Sequence, residues 1–360
     1  MLLEGLHIPL TTPFHPDGRL NLPKLAANIV RTSKSHAAGL VVLGPSGEPA
    51  LLTDEETREV LRVASQTAAP EKVLLAGISR SSVRATLALA ECADELHYDA
   101  ILIGAPSIFY DENFASSDQP GTASRRELLL YFKTVADRSP LPVVLFSSRA
   151  RRIPIDALVE LAAHPRILGL LDAAASPAEI ESILRRTASI KREVTVTQLF
   201  AAITARMKIA ASRATASLVS ADSLASDRAA SANAVAEAPP TTQLRTRTKS
   251  AGFQILTGDT QAILGSLRAG AVGAAPALAA AAPQACYEVF AAWKDDDQTL
   301  ADEKQSRLNE AARLTEESLG GLKFACDLNG YFGGLPRLPL LPPTGDQRAA
   351  IEHIMKPLRN

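Results

Sequence analysis

The stretch Gly44-Pro-Ser-Gly-Glu48 holds the first residues whose types and spacing could do chemistry. It follows the apolar run Gly39-Leu-Val-Val-Leu43, which suits a strand buried on both faces. Its two glycines let the backbone bend sharply or approach a ligand where a Cβ would clash. In a parallel α/β protein the turn after a strand lies on the face where ligands bind, so Ser46 and the amides of Ser46 and Gly47 become candidate ligand donors. A tight strand-to-helix turn accounts for the same spacing. Three carboxylates, Glu48, Asp172 and Asp259, also fall at the ends of predicted strands, where they would suit proton transfer or metal binding. A carboxylate in that position is as often a helix cap.

The elements that must hold these residues alternate regularly. Thr53 with Glu56 three residues on has the capping-box spacing that starts a helix. Short continuous apolar runs predict strands at Leu6–Pro13, Val73–Ile78, Ala100–Gly104, Pro142–Ser147 and Ile167–Leu171. Helices are predicted between them, near Leu22–Ser35, Ser82–Leu96, Ser124–Asp137, Pro154–Ala163 and Pro177–Thr187. The pattern resumes with strands at Phe253–Asp259 and Gly270–Ala275, and from Ala279 onward it is helical only. So many repeated units favour a closed (β/α)8 TIM barrel over an open sheet, within the α/β class. The barrel is expected over residues 1–278 and a C-terminal helical domain over 279–360. A low-complexity insertion at about 198–251, rich in Ala, Ser and Thr, is expected to lie over one barrel face, mobile or partly helical. Val194–Thr197 is a further candidate strand at its start, and the basic residues Arg245, Arg247 and Lys249 read as solvated.

Bulk properties narrow the function. The chain has 360 residues, 46% hydrophobic and 21% charged, with a net charge of -1, which gives no electrostatic reason for nucleic acid or anionic membrane as partner. Cys92, Cys286 and Cys326 are odd in number and far apart, so neither a disulfide framework nor a C-x-x-C metal site is expected. Asp295-Asp-Asp297 reads as a polar turn between helices. The start, Met-Leu-Leu-Glu-Gly-Leu-His, has no basic leader followed by an apolar stretch, and a cytoplasmic protein acting on a small molecule, with no cofactor and no metal, is expected.

Several segments together carry a resemblance: Pro9-Leu-Thr-Thr-Pro-Phe14, Gly44-Pro-Ser-Gly-Glu48, Leu102-Ile-Gly-Ala-Pro106, Pro142-Val-Val-Leu-Phe146, Ile167-Leu-Gly-Leu170, Leu256-Thr-Gly-Asp259 and Gly334-Leu-Pro-Arg-Leu-Pro339. In order and spacing the chain resembles the dihydrodipicolinate synthase and N-acetylneuraminate lyase family. The resemblance implies homodimers or homotetramers and class I aldolase or lyase chemistry on pyruvate or a related 2-keto acid, through an imine on a barrel lysine. That lysine ends the sixth strand, and here the matching position is Leu171. Leucine cannot form an imine. The relay tyrosine of the fifth strand matches Phe146, which keeps the ring and loses the acid. In the serine loop Pro45 replaces a threonine, losing both hydroxyl and N–H, while Ser46 keeps both. A further tyrosine aligns near Ile108, with Tyr110 close enough to replace it, and the carboxylate-holding arginine matches Arg151, with Arg152 adjacent. The resemblance thus implies a substrate pocket of Pro45, Ser46, Gly47, Tyr110, Arg151 and Gly258.

Two readings remain. In one, a degenerate member of the lineage keeps a small-carboxylate pocket without imine chemistry; an active variant would use a displaced lysine, with Lys208 and Lys249 beside the insertion as candidates, or the strand-end carboxylates. In the other, the barrel is a non-catalytic binding or regulatory protein whose insertion is an interaction surface.

Overall fold

The structure is a computed structural model that describes residues 1–111, 124–216 and 245–358. Much of the expected low-complexity insertion, residues 217–244, lies outside the described residues. Strands β1 (Gly5–Pro9), β2 (Gly39–Val42), β3 (Val73–Gly77), β4 (Ala100–Gly104), β5 (Val143–Ser147) and β6 (Ile167–Asp172) follow one another around a barrel. Strands β7 (Arg192–Thr197) and β8 (Thr246–Ala251) stand apart as an antiparallel pair, and β9 (Gln254–Thr257) and β10 (Gly273–Ala274) complete the barrel. All eight barrel pairings are parallel, and β10 closes onto β1 through Gly5 opposite Gly273.

The continuous apolar runs have a simple cause. Side chains alternate across a strand, and here both faces are covered. Leu74 and Leu170 join the layer between strands and helices, whereas their neighbours Leu75 and Leu171 join an interior cluster with Val41, Val144 and Leu256. Each fully buried leucine or valine contributes about 1.5–3 kcal/mol of transfer free energy. His7 also lies within the wall of β1, fully buried beside Gly39.

The covering helices are α1 (Leu22–Ser33), α2 (Asp54–Thr67), α3 (Val83–Glu95), α4 (Arg125–Arg138), α5 (Ile155–Ala162), α6 (Pro177–Arg186) and, after the insertion, α8 (Ile263–Arg268), while α7 (Ala205–Ala216) belongs to the insertion itself. The capping box forms as its spacing predicts: Thr53 accepts from the Glu56 amide, and Glu56 from the Thr53 amide. Four C-terminal helices follow, α9 (Pro283–Lys294), α10 (Gln298–Thr315), α11 (Leu319–Leu328) and α12 (Gly345–Met355). The aspartate run 295–297 is the polar turn it reads as, closing α9 and capping α10.

The described part of the insertion sits at the amino-terminal end of the barrel. The ribbon packs Val194, Val196 and Ala251 on Leu2, ahead of β1, and Lys249 pairs with Glu4 at 2.7 Å. The guanidinium of Arg206 donates to the carbonyls of Ala68 and Lys72, just before β3, and the Ala205 amide donates to Asp99, just before β4. The expected strand at Val194–Thr197 therefore exists, but its partner is β8 rather than a barrel strand.

Candidate active site

At the opposite, carboxy-terminal end, the loop after β2 folds as a single turn of 3-10 helix over Pro45–Gly47. Leu43 and Glu48 on either side both have φ of 58°, in the left-handed region. The loop runs so close to β3 that a Cβ on Gly77 would lie 2.1 Å from the Leu43 carbonyl oxygen, which only glycine permits. The Gly47 amide donates to the Gly44 carbonyl at 2.8 Å, and Thr12 Oγ1 donates to the Gly47 carbonyl at 2.7 Å. Gly47 is therefore spent on holding the turn. Ser46 is 7% exposed, and its hydroxyl makes no hydrogen bond among the described residues.

Glu48 is held from behind the loop. Its carboxylate accepts from Lys323 Nζ at 2.7 Å and from the Arg337 amide at 2.7 Å. Lys323, on α11, also donates to the Thr12 carbonyl at 2.9 Å and stands 4.6 Å from the centre of the Phe14 ring. Both side chains are 0% exposed. Burial lowers the Lys323 amine from its ordinary value, while Glu48 beside it acts the other way. Arg337 grips Glu56 with both terminal guanidinium nitrogens and stands 5.0 Å from the centre of the Phe14 ring, so the C-terminal segment is clamped to the serine loop.

A cavity of about 570 Å³ opens among the described residues at this end. Leu102 and Phe146 from β4 and β5 stand at its base. Pro45, Pro49, Leu51 and Leu52 of the loop after β2 line it, as do Leu319 and Leu340 from the C-terminal region. Its charged lining is Glu48, Arg80 and Arg151. Arg80 is spoken for, by Asp54, the Thr57 hydroxyl and the Ser79 carbonyl. Arg151 is exposed, and among the described residues its guanidinium makes only a long contact, 3.5 Å, to the Ala105 carbonyl.

The other expected site residues divide. Pro45, Phe146 and Arg151 line the cavity; Ser46, Gly47, Tyr110, Leu171 and Gly258 do not. Leu171 is 3% exposed in the barrel interior, with Phe146 packed against the same cluster, and its methyl group stands close to Gly258. Tyr110 donates its hydroxyl to the Arg152 carbonyl at 2.7 Å, and burial pushes the phenol up to about 12. Arg152 pairs with Glu179 at 2.6 Å and with Asp172 at 3.4 Å. Asp172 Oδ1 accepts from the amides of Ala174 and Ala175, and burial raises its carboxyl despite them. Asp259 caps the following turn by accepting from the Gln261 amide. Asp172 and Asp259 are thus engaged at their own strand ends, with Asp172 Oδ2 buried and unpartnered among the described residues, and Glu48 is held by the C-terminal segment. Every lysine of the chain falls among the described residues, and none lines the cavity. Lys208 and Lys249 belong to the far end, where Lys249 is held by Glu4.

Sequence reasoning missed Ser79, Arg80 and Ser81, although the logic that singles out the loop after β2 applies equally to the loop after β3. It also missed the contribution of the C-terminal helices, for which no local pattern exists. Among the described residues no cluster of His, Cys, Asp or Glu could hold a metal ion, and no helix is long and apolar enough to cross a membrane.

Comparison with known proteins agrees with this architecture. A family model, the Dihydrodipicolinate synthetase family, matches residues 2–196 and 218–358. The chain is 25% identical over 359 residues to the 4-hydroxy-tetrahydrodipicolinate synthase of Acidiphilium cryptum, covering 98% of both chains. It is 26% identical over 365 residues to the L-threo-3-deoxy-hexylosonate aldolase of Aspergillus niger, covering 99% of this chain and 95% of that one. Among solved structures it is similar to a dihydrodipicolinate synthase from Bacillus anthracis, with a TM-score of 0.75 at 19% identity and full coverage of both chains. It is also similar to a prophage protein of the dihydrodipicolinic acid synthase family from E. coli K12 in complex with pyruvate, with a TM-score of 0.73, 22% identity and 99% coverage of both. With its barrel closed, its C-terminal helices in place and nearly all of its length matched, this chain belongs to the dihydrodipicolinate synthetase family.

Proposed function

We propose that this family member keeps a pocket for a small carboxylate, such as a 2-keto acid, and does not carry out imine-based aldol chemistry. The observation that carries the reading is the absence of an amine from the cavity. Position 171 is a leucine packed in the barrel interior, and no lysine of the chain reaches the lining. An imine requires a neutral amine within reach of a keto carbon. The nearest approach to one is Lys323, behind the serine loop, and its ammonium is held by Glu48 and the Thr12 carbonyl with no exposed surface. Phe146 supplies no proton in place of a tyrosine. Arg151 supports the other half of the reading, as an exposed guanidinium at the cavity with no ion pair among the described residues. The same reading carries a cytoplasmic homodimer or homotetramer, which light scattering after size-exclusion chromatography reads.

The test is incubation with pyruvate and borohydride followed by intact-mass measurement. No adduct, together with calorimetric binding of keto acids that Arg151→Ala weakens, is the expected result. A covalent pyruvyl adduct on any lysine overturns it. Absence of both adduct and binding replaces it with a non-catalytic interaction protein.

A further inference from the structure

We infer that the cavity takes a monocarboxylate with an apolar body, of the size of an aryl-substituted short-chain acid, rather than a hydrophilic acid. The inference rests on the reading of Arg151 as a carboxylate anchor and adds the nature of what is attached to that carboxylate. Charge is the first part of the argument. Glu48 is neutralised by Lys323, and Arg80 by Asp54, so among the described residues the lining presents a single uncompensated charge, Arg151. One cation in a concave site matches one anion, and a dianion would leave a charge unpaired in a partly desolvated pocket.

Hydrogen-bonding capacity is the second part. A polyhydroxylated acid loses water from each hydroxyl on entry and needs a protein partner for each. The base of the cavity offers Leu102 and Phe146, and the wall offers Pro45 and Pro49, which have no N–H, with Leu51 and Leu52. The Ser79 hydroxyl accepts from the Gly104 amide at 2.8 Å and keeps its own proton to donate, and Ser81 and Ser107 are exposed, so three hydroxyls face a larger set of apolar side chains. Tyr110, the nearby phenol, has its hydroxyl on the Arg152 carbonyl. Aliphatic and aromatic groups therefore outnumber the free polar groups, and the favourable occupant is one whose body gains by leaving water. The volume is the third part: about 570 Å³ is far more than a three-carbon keto acid fills, and falls within the roughly 300–1,000 Å³ typical of pockets for larger ligands.

The experiment is calorimetric titration of the full chain with four probes: 3-phenylpropionate, pyruvate, gluconate and 3-phenylpropanol. The expected result is binding of 3-phenylpropionate at least tenfold tighter than pyruvate or gluconate. Arg151→Ala should weaken the phenyl acid at least tenfold and leave the alcohol within twofold. Leu340→Asp, an exposed change at the cavity that does not threaten the fold, should weaken the phenyl acid at least fivefold. Tighter binding of gluconate or pyruvate than of 3-phenylpropionate overturns this inference while leaving the carboxylate pocket standing. Equal binding of acid and alcohol, with Arg151→Ala silent, overturns it as well. Failure of every acid to bind removes the pocket reading together with it.

Discussion

Replacing Lys323 by methionine, which is similar in length and carries no charge, leaves the Glu48 carboxylate buried with the Arg337 amide as its remaining donor. The Thr12 carbonyl loses its donor at the same time. Both side chains of the pair are 0% exposed, so solvent cannot take over either role without opening the packing of α11 on the serine loop. Removing one member of such a pair costs about 3–5 kcal/mol, because an uncompensated charge stays behind. Replacing both, as Glu48→Gln with Lys323→Met, removes that charge and should recover about 1–3 kcal/mol relative to the sum of the single changes. The assay is urea unfolding of the two single variants and the double variant, followed by circular dichroism. With a slope of about 3 kcal/mol per molar urea, the Lys323→Met midpoint should fall by about 1 M or more. A loss under about 1 kcal/mol for Lys323→Met, or strict additivity in the double variant, would refute the claim that this pair ties the C-terminal helices to the site.

Other expectations follow from the same geometry. His7 donates Nε2–H to the Leu3 carbonyl at 2.9 Å, its Nδ1 has no partner among the described residues, and burial lowers the imidazole to about 4 from an ordinary 6.5. The unfolded chain therefore binds the extra proton between these values, and stability falls on acidification from pH 6.5 towards 4 by up to about 3 kcal/mol. His7→Gln should flatten that part of the urea-midpoint profile; an unaltered slope rejects the assignment. Leu171→Lys with Phe146→Tyr should restore a pyruvate adduct trapped by borohydride, since both positions join the interior cluster at the carboxy-terminal ends of adjacent strands. An unmodified mass in a folded double variant would show that the pocket geometry is lost. Arg206→Ala should cost about 2–3 kcal/mol through its two carbonyl partners and leave ligand affinity within twofold, because those partners precede β3 and sit at the other end of the barrel. A change in affinity would contradict that separation.

The barrel was legible because each strand is buried on both faces and so reads as an unbroken apolar run, as in Val73–Gly77 and Ala100–Gly104, and because Thr53 announces its helix locally. The ribbon was half legible. Thr195 and Val196 have β-forming side chains, but their partners Thr248 and Arg247 are about fifty residues on, and sequence pattern does not encode pairing at that distance. The serine loop was found for the right reason, yet Ser46 stands behind the cavity surface while Gly44 and Pro45 face it, a difference decided by one turn of 3-10 helix. Lys323 reads in sequence as an ordinary residue of an amphipathic helix. Its burial becomes visible only once a partner 275 positions away is brought against it by the return of the C-terminal helices to the barrel mouth.

The β7–β8 ribbon has an architectural corollary. Thr197 and Thr246 are paired across the two strands, so the chain leaves the barrel and comes back through the same doorway. Whatever length of polypeptide spans that gap adds little closure entropy, because the cost grows only with the logarithm of loop size. The fold thus possesses a natural graft point, at the end of the barrel away from the cavity, where a reporter domain with neighbouring termini could be spliced in while the eight staves stay untouched.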